Sequence, residues 1–324
     1  MAKEQKKKQN SVHIVGYLKE NNLEQVTIQD KGEVIRGSVI VATDETSSYK
    51  VQFYVSETLK NGDESEDFKT LSELLPNKVT SIASYLKNNP GSTFKEATEN
   101  ALKIWVLAKF EEFASSVGER TKSMVLLKGF KAGVKQETDE SPFSPHAEFT
   151  ADIFVSKIKK EVIYEDENDE DGTETGRLII TGVIPTYDES AYVIDFIAPA
   201  EGGIAEFMEG TYAVGDTGTI KGDLINVDKK VLKEDSEEEE EFFGVPAGPQ
   251  YRTVFIRERV IRGLSKKPLH QGDEGCFTKQ AIKDALAKRA TKMAENGKRE
   301  QNKAKKEETP KAETKKDFSE DMDF

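Results

Sequence analysis

Cysteine occurs once, as Cys276, so no disulfide can form within the chain, and this usage fits a reducing cytoplasm. Histidine is nearly as scarce. His13, His146 and His270 stand far apart in no metal-ligand spacing, so neither a metal nor a cofactor is expected. No apolar run reaches the length of a membrane-spanning helix, and the opening Met-Ala-Lys-Glu lacks the apolar centre of a signal peptide. A membrane partner is therefore not expected, and the expected location is cytoplasmic. Phosphate-cradling loops are missing too: no G-x-x-x-x-G-K-[ST] occurs, no G-x-G-x-x-G follows a strand, and G-x-S-x-G and H-E-x-x-H are absent. Asp188, Glu189 and Asp195 are the carboxylates a nuclease reading would use. The first two sit in a turn, where acids occur for backbone reasons alone. The chain reads as non-enzymatic.

Charge of one sign dominates only in places. The net charge is −13, but residues 165–174, 234–241 and 317–324 hold eighteen of the 60 acids and no basic residue. The rest of the chain carries fewer acids than the 47 Lys and Arg, which leaves a slightly basic body open to a polyanion.

What is present in quantity is alternation. Residues 33–55, EVIRGSVIVATDETSSYKVQFYV, come back as residues 177–197, RLIITGVIPTYDESAYVIDFI. Ile35 matches Ile180, Gly37 matches Gly182, and Asp44-Glu45 answers Asp188-Glu189. Tyr49, Val51 and Phe53 match Tyr192, Ile194 and Phe196. Each copy is an alternating run, an acidic turn and a second alternating run: a strand pair with one buried face. A glycine at matching points suggests a bulge or close backbone approach, as a strand needs to coil into a small barrel. The expected fold is mainly β, with two related barrels in tandem, short helices, a C-terminal amphipathic helix and a disordered acidic tail.

The boundaries follow composition. Residues 1–10 form a lysine-rich disordered arm, and residues 11–164 a first barrel. That barrel opens on a hairpin of HIVGYL and EQVTIQ, and EFTADIFVSKIKKEV is among its closing strands. A helical pattern broken by Pro76 covers residues 70–88; its IASYL returns as IAEFM at residues 204–208. Residues 103–114 fit either a helix entered through a Thr93/Glu96 capping box or a strand; TIKGDLINV at the corresponding point of the second half favours the strand. Residues 165–175 read as an acidic linker and 176–268 as the second barrel. Residues 278–296 read as a helix with Ile282, Ala285, Leu286 and Met293 on one side, stopped by Asn296-Gly297. A flexible tether, 297–316, leads to an acidic tip, 317–324.

Strand alternation also marks a candidate surface. In residues 251–262, YRTVFIRERVIR, the inward set would be Val254, Ile256 and Val260, and the outward set Tyr251, Phe255, Arg257 and Arg259. The first barrel offers Arg36, Lys50 and Tyr54 outward, with Trp105, Lys109, Lys128 and Phe130 beside them. Rings for bases to stack on, interleaved with cations for the phosphates, are what a single-stranded nucleic acid needs. The second barrel's own repeat is poorer, with Val193, Asp195 and Ile197 facing out.

The tail is the most specific feature. A lysine-containing tether followed by an acidic tip closing on Phe324 resembles bacterial and phage single-stranded-DNA-binding proteins, whose tips dock onto replication and repair partners. Asp321, Asp323 and Phe324 match that pattern, with Asp317 and Glu320 adding charge. Met322 and Asp323 replace the usual Ile-Pro, and two barrels replace one, which fits a phage version better than the bacterial housekeeping protein. The resemblance in motif covers the last eight residues, and tandem OB-folds agree with the architecture of that group. It implies a protein that coats single-stranded DNA during replication or recombination and recruits partner proteins through its tip. It leaves DNA-versus-RNA preference and oligomeric state open. The rival reading is a protein-interaction or virion-associated β-protein.

Overall fold

The computed structural model describes residues 9–29, 32–59, 61–117, 120–138, 142–164, 172–232 and 251–307. Four strands open the chain: β1 (Asn10–Asn21), β2 (Glu24–Ile28), β3 (Gly32–Ala42) and β4 (Ser48–Ser56). Three short helices follow, α1 (Glu66–Ser72), α2 (Ile82–Asn88) and α3 (Phe94–Asn100), then β5 (Lys103–Val117) and β6 (Arg120–Val134). The second half contains β7 (His146–Ile163), β8 (Thr173–Pro185), β9 (Ala191–Ala198), α4 (Ile204–Thr211), β10 (Thr217–Leu232), β11 (Tyr251–Leu264) and α5 (Lys279–Glu307).

All eleven strands belong to one mixed sheet, within which two circuits close. In the first, β1 pairs with β3, β3 with β4, β4 runs parallel to β6, and β6 returns through β5 to β1. In the second, β7, β8, β9, β11 and β10 repeat that order, again with one parallel pair, and β10 closes on β7. Five strands in this order, with helices between the third and fourth, make an OB-fold barrel. The fold is therefore mainly β, with two OB-fold-like barrels in tandem.

The barrels are joined more closely than two beads on a string. Residues Asn10 to Val15 of β1 pair with Ala151 to His146 of β7. Phe110 of the first barrel meets Phe149 and Phe196 of the second edge-on, at 5.8 and 6.2 Å between ring centres. One apolar core runs through both, from Ile14, Ile35 and Val51 to Ile180, Phe196 and Ile261. Each such side chain contributes about 1.5–3 kcal/mol on burial.

Local chemistry explains the elements. In β4, Tyr49, Val51 and Phe53 are buried while Lys50, Gln52 and Tyr54 are exposed, the period of a sheet with one wet face. Residues 93–114 use both readings of their sequence. Thr93 and Glu96 form a capping box that starts α3; the helix ends at Asn100 and the strand begins at Lys103. The residue 70–88 pattern likewise splits into α1 and α2, separated by the segment holding Pro76.

Several expectations are corrected. β1 and β2 do not form a hairpin; both pair along the same side of β3, with the chain turning a corner between them. At that corner Gly37 has φ +124°, and a Cβ there would lie 2.0 Å from the Asn22 carbonyl oxygen, so only glycine fits. β7, expected to close the first barrel, opens the second, pairing with both β8 and β10. The expected linker 165–175 is thus flanked by two paired strands of the same barrel, β7 and β8; residues 165–171 themselves lie outside the described residues. In the repeat, Tyr49, Val51 and Phe53 correspond to Tyr192, Ile194 and Phe196 as expected, but the first strands of the two copies match with a slip of two. Ala42 pairs with Ser48 and Pro185 with Ala191, so the turns are equal in length and Gly37 corresponds to Ile180. A two-residue slip keeps every side chain on its own face, which is why the repeat was recognisable. Finally, α5 does not stop at Gly297 but continues to Glu307.

Candidate nucleic-acid interface

The outer face of the first barrel gathers seven of the expected residues. Arg36 on β3 lies opposite Tyr54 on β4. Gln52 on β4 is in register with Lys128 on β6, which lies opposite Lys109 on β5. Two residues further along β6, a bulge against Leu107 and Ala108 leaves Phe130 as the extra residue, turned out to solvent. Tyr54 and Phe130 are 44% and 43% exposed, large for rings on a sheet. Lys50 continues the face along β4, and Trp105 extends it along β5, its indole lying over Gly133, where a Cβ would come within 2.9 Å.

The electrostatics of this face are loosely satisfied. Lys109 and Lys128 are a like-charged pair directly opposite one another, an arrangement that destabilises a sheet unless an anion relieves it. Lys128 reaches Glu111 at 3.2 Å, and Arg36 reaches Glu24 at 2.6 Å. Both ion pairs are solvent-exposed and worth about 0–1 kcal/mol, so either cation can exchange its carboxylate for a phosphate at little cost.

The corresponding face of the second barrel is built differently. Where the first barrel has Arg36, Ile40 and Lys50, the second has Ile179, Val183 and Val193. Val183 is buried under α5 with Phe154, Ala191, Ile282 and Ala285, and Val193, Phe277 and Leu286 pack against them. Val193 is therefore apolar because a helix covers it. Charged contacts fix the helix: Lys288 to Glu189, Lys292 to Asp188, and Arg289 to Glu112 on β5. Lys292 and the Thr186 hydroxyl hold the Asp188 carboxyl down at about 2. Asp188 and Glu189 are thus helix anchors, while Asp195 accepts from the Thr181 hydroxyl at 2.6 Å.

The residues expected on β11 divide. Phe255 is 64% exposed, and the Arg257 guanidinium lies 5.3 Å from its ring centre while also binding Asp228. Arg259 is a correction. It is tucked inward over Phe110, 5.7 Å from the ring centre, with Nη1 donating to the Asp195 carbonyl at 3.3 Å. Burial pulls its pKa down, and the Asp195 charge opposes that. The inward set differs as well: Ile261 is fully buried, whereas Ile256 is 38% exposed. The cause is a bulge at Lys221/Gly222 that leaves Arg262 unpaired and reverses the facing. Phe255 and Arg257 share the face of Ile261 but are exposed because β10 and β11 run on as an arm beyond the barrel. That arm docks on the first barrel: the Tyr49 hydroxyl donates to the Leu224 carbonyl at 2.6 Å, and the Asp228 N–H to the Thr46 carbonyl at 3.0 Å. The contact sets it beside the turn leading into Lys50. The side chain of Tyr251, and Asp317, Glu320, Asp321, Asp323 and Phe324, lie outside what is described.

Sequence reasoning missed Lys131, which lies opposite Leu107 in the gap between Lys109 and Trp105. Its alternation with Gly129 and Gly133 was the available signal.

Fold and face together define a tandem OB-fold protein with one open sheet face of rings and cations and one face closed by its own helix. The chain belongs to the YorF family, whose model matches residues 8–301. No curated protein matches it. Among solved structures it is similar to the wild-type single-stranded DNA binding protein from Thermus aquaticus, at 11% identity and TM-score 0.43 over 83% of this chain and 97% of that one. A deletion mutant of that protein is similar at 13% identity and TM-score 0.42, over 82% of this chain and 97% of the other. No described helix is long and apolar enough to cross a membrane.

Proposed function

We propose that this protein binds single-stranded DNA without catalysis, along the outer face of β3, β4, β6 and β5, and continues the contact onto the β10–β11 arm. The observation that carries the reading is the Lys109–Lys128 pair set beside exposed Tyr54 and Phe130. Stacked bases and intervening phosphates satisfy both kinds of group at once. Binding is tolerant of sequence, because rings and cations read no base edges.

In this reading the protein coats single strands during replication or recombination, in a phage setting within the host cytoplasm. Its acidic tip, with Asp317, Glu320, Asp321, Asp323 and Phe324, recruits partner proteins. The tail motif and its resemblance support that part. The direct experiment is a binding titration with labelled oligo-dT, the matching duplex and an RNA of equal length. Preference for the single strand supports the proposal; failure to bind any of the three favours a protein-docking role.

A further inference from the structure

The open face does not end at Trp105. Cross-strand pairing places Gly133, Trp105, Val15 and His146 in one row across β6, β5, β1 and β7. The next row is Lys131, Leu107, His13 and Glu148. His13 and His146 therefore meet where the two barrels join, two strand spacings or about 10 Å at most from Trp105.

Their hydrogen bonds have a direction. His146 Nδ1 lies 2.7 Å from the Ser144 carbonyl oxygen, which can only accept, so Nδ1 carries a proton. His146 Nε2 lies 3.4 Å from His13 Nδ1. With His146 neutral, its Nε2 accepts and His13 Nδ1 donates. This leaves His13 Nε2 to take up an additional proton, and among the described residues that atom meets no hydrogen-bond partner. The rings pack edge to face at 5.3 Å. Burial, His146 and Lys135 push His13 toward the neutral form, while Glu148 pulls the other way. On the β10 side the nearest acid, Asp223, is engaged by Arg262. β5 supplies only Leu107 and Trp105 here, and Lys131 lies beyond them on β6.

We infer that His13, backed by His146, forms a proton-linked phosphate subsite that carries the bound strand from Trp105 across the barrel junction. A backbone phosphate arriving beside His13 favours the protonated ring, whose Nε2–H then donates to the phosphate oxygen. The proton comes from solvent and returns to it on release. The inference rests on the single-strand reading above.

The test is oligo-dT affinity of the full chain at constant ionic strength between pH 5.5 and 8. Affinity is expected to fall by about tenfold as pH rises, the worth of one charge-assisted hydrogen bond. His13→Gln should hold the high-pH affinity at every pH. Glu148→Gln, which leaves both rings in place, should move the midpoint to lower pH. A wild-type curve that is flat, or a His13→Gln curve with the wild-type slope, overturns the subsite while single-strand binding stands. No oligo-dT binding at any pH overturns the function itself.

Discussion

Arg289 on α5 donates to both carboxylate oxygens of Glu112 on β5, from Nε at 2.6 Å and from Nη2, and the Glu112 side chain has no exposed surface. The Ser123 hydroxyl and the Val193 N–H, at 3.1 Å, complete the shell of the carboxylate. A helix of the second barrel is thus locked to a strand of the first. The lock closes the face of the second barrel that corresponds to the open face of the first.

Arg289→Ala leaves the buried Glu112 carboxylate without its partner and should cost about 3 kcal/mol in a urea melt and expose α5 to hydrogen exchange. Burial alone would raise the Glu112 pKa, but Arg289, Ser123 and Val193 outweigh it and hold the group below its usual value. A depressed folded pKa means stability that is present above the unfolded value, near 4.5, and lost as pH falls through the folded one. Wild type and Glu112→Ala should therefore converge in stability on acidification. A gap that stays constant to low pH would contradict the lock.

Arg259 and Arg257 of β11 should behave in opposite ways. Arg259→Ala removes a cation from over Phe110 and should lower the melting temperature, because it opens the core side of the barrel. Phe255→Ala removes an exposed ring and should leave the melting temperature unchanged while weakening DNA binding by about 1–3 kcal/mol. Arg257→Ala should weaken all sequences alike. Melting and anisotropy measured on the same variants separate these outcomes.

Salt dependence reports the cations directly. On single strands log K falls with log salt by about 0.7 for each phosphate neutralised. Lys50→Ala, Lys109→Ala and Lys128→Ala should each flatten the slope by about that amount. Lys128→Ala should also relieve the like-charge contact with Lys109 and so leave the free protein at least as stable. A slope unchanged in all three places the phosphates elsewhere.

Much of this could be read from the chain because it is local. SYKVQFYVS alternates so regularly that the exposure of Lys50 and Tyr54 follows from period two alone. The turns at Asp44 and Asp188 and the capped start of α3 are equally short-range. What was not legible depends on pairing at a distance. Nothing within His146–Ile163 says that it closes on β10 some seventy residues later and belongs to the second barrel. Arg259 looked solvent-facing because a bulge in the pairing, invisible in β11 itself, reverses the strand. Val193 looked like a weak ligand residue because its covering helix arrives about ninety residues further on.

Photo-crosslinking of oligo-dT followed by peptide mapping tests the central claim most directly, because it asks which face the strand touches. Crosslinks should fall on the peptides that carry Tyr54, Trp105 and Phe130, with Phe255 as the outlying contact. Crosslinks concentrated instead on residues 177–197 or on α5 would show that the closed face is the one that binds, and would contradict the account.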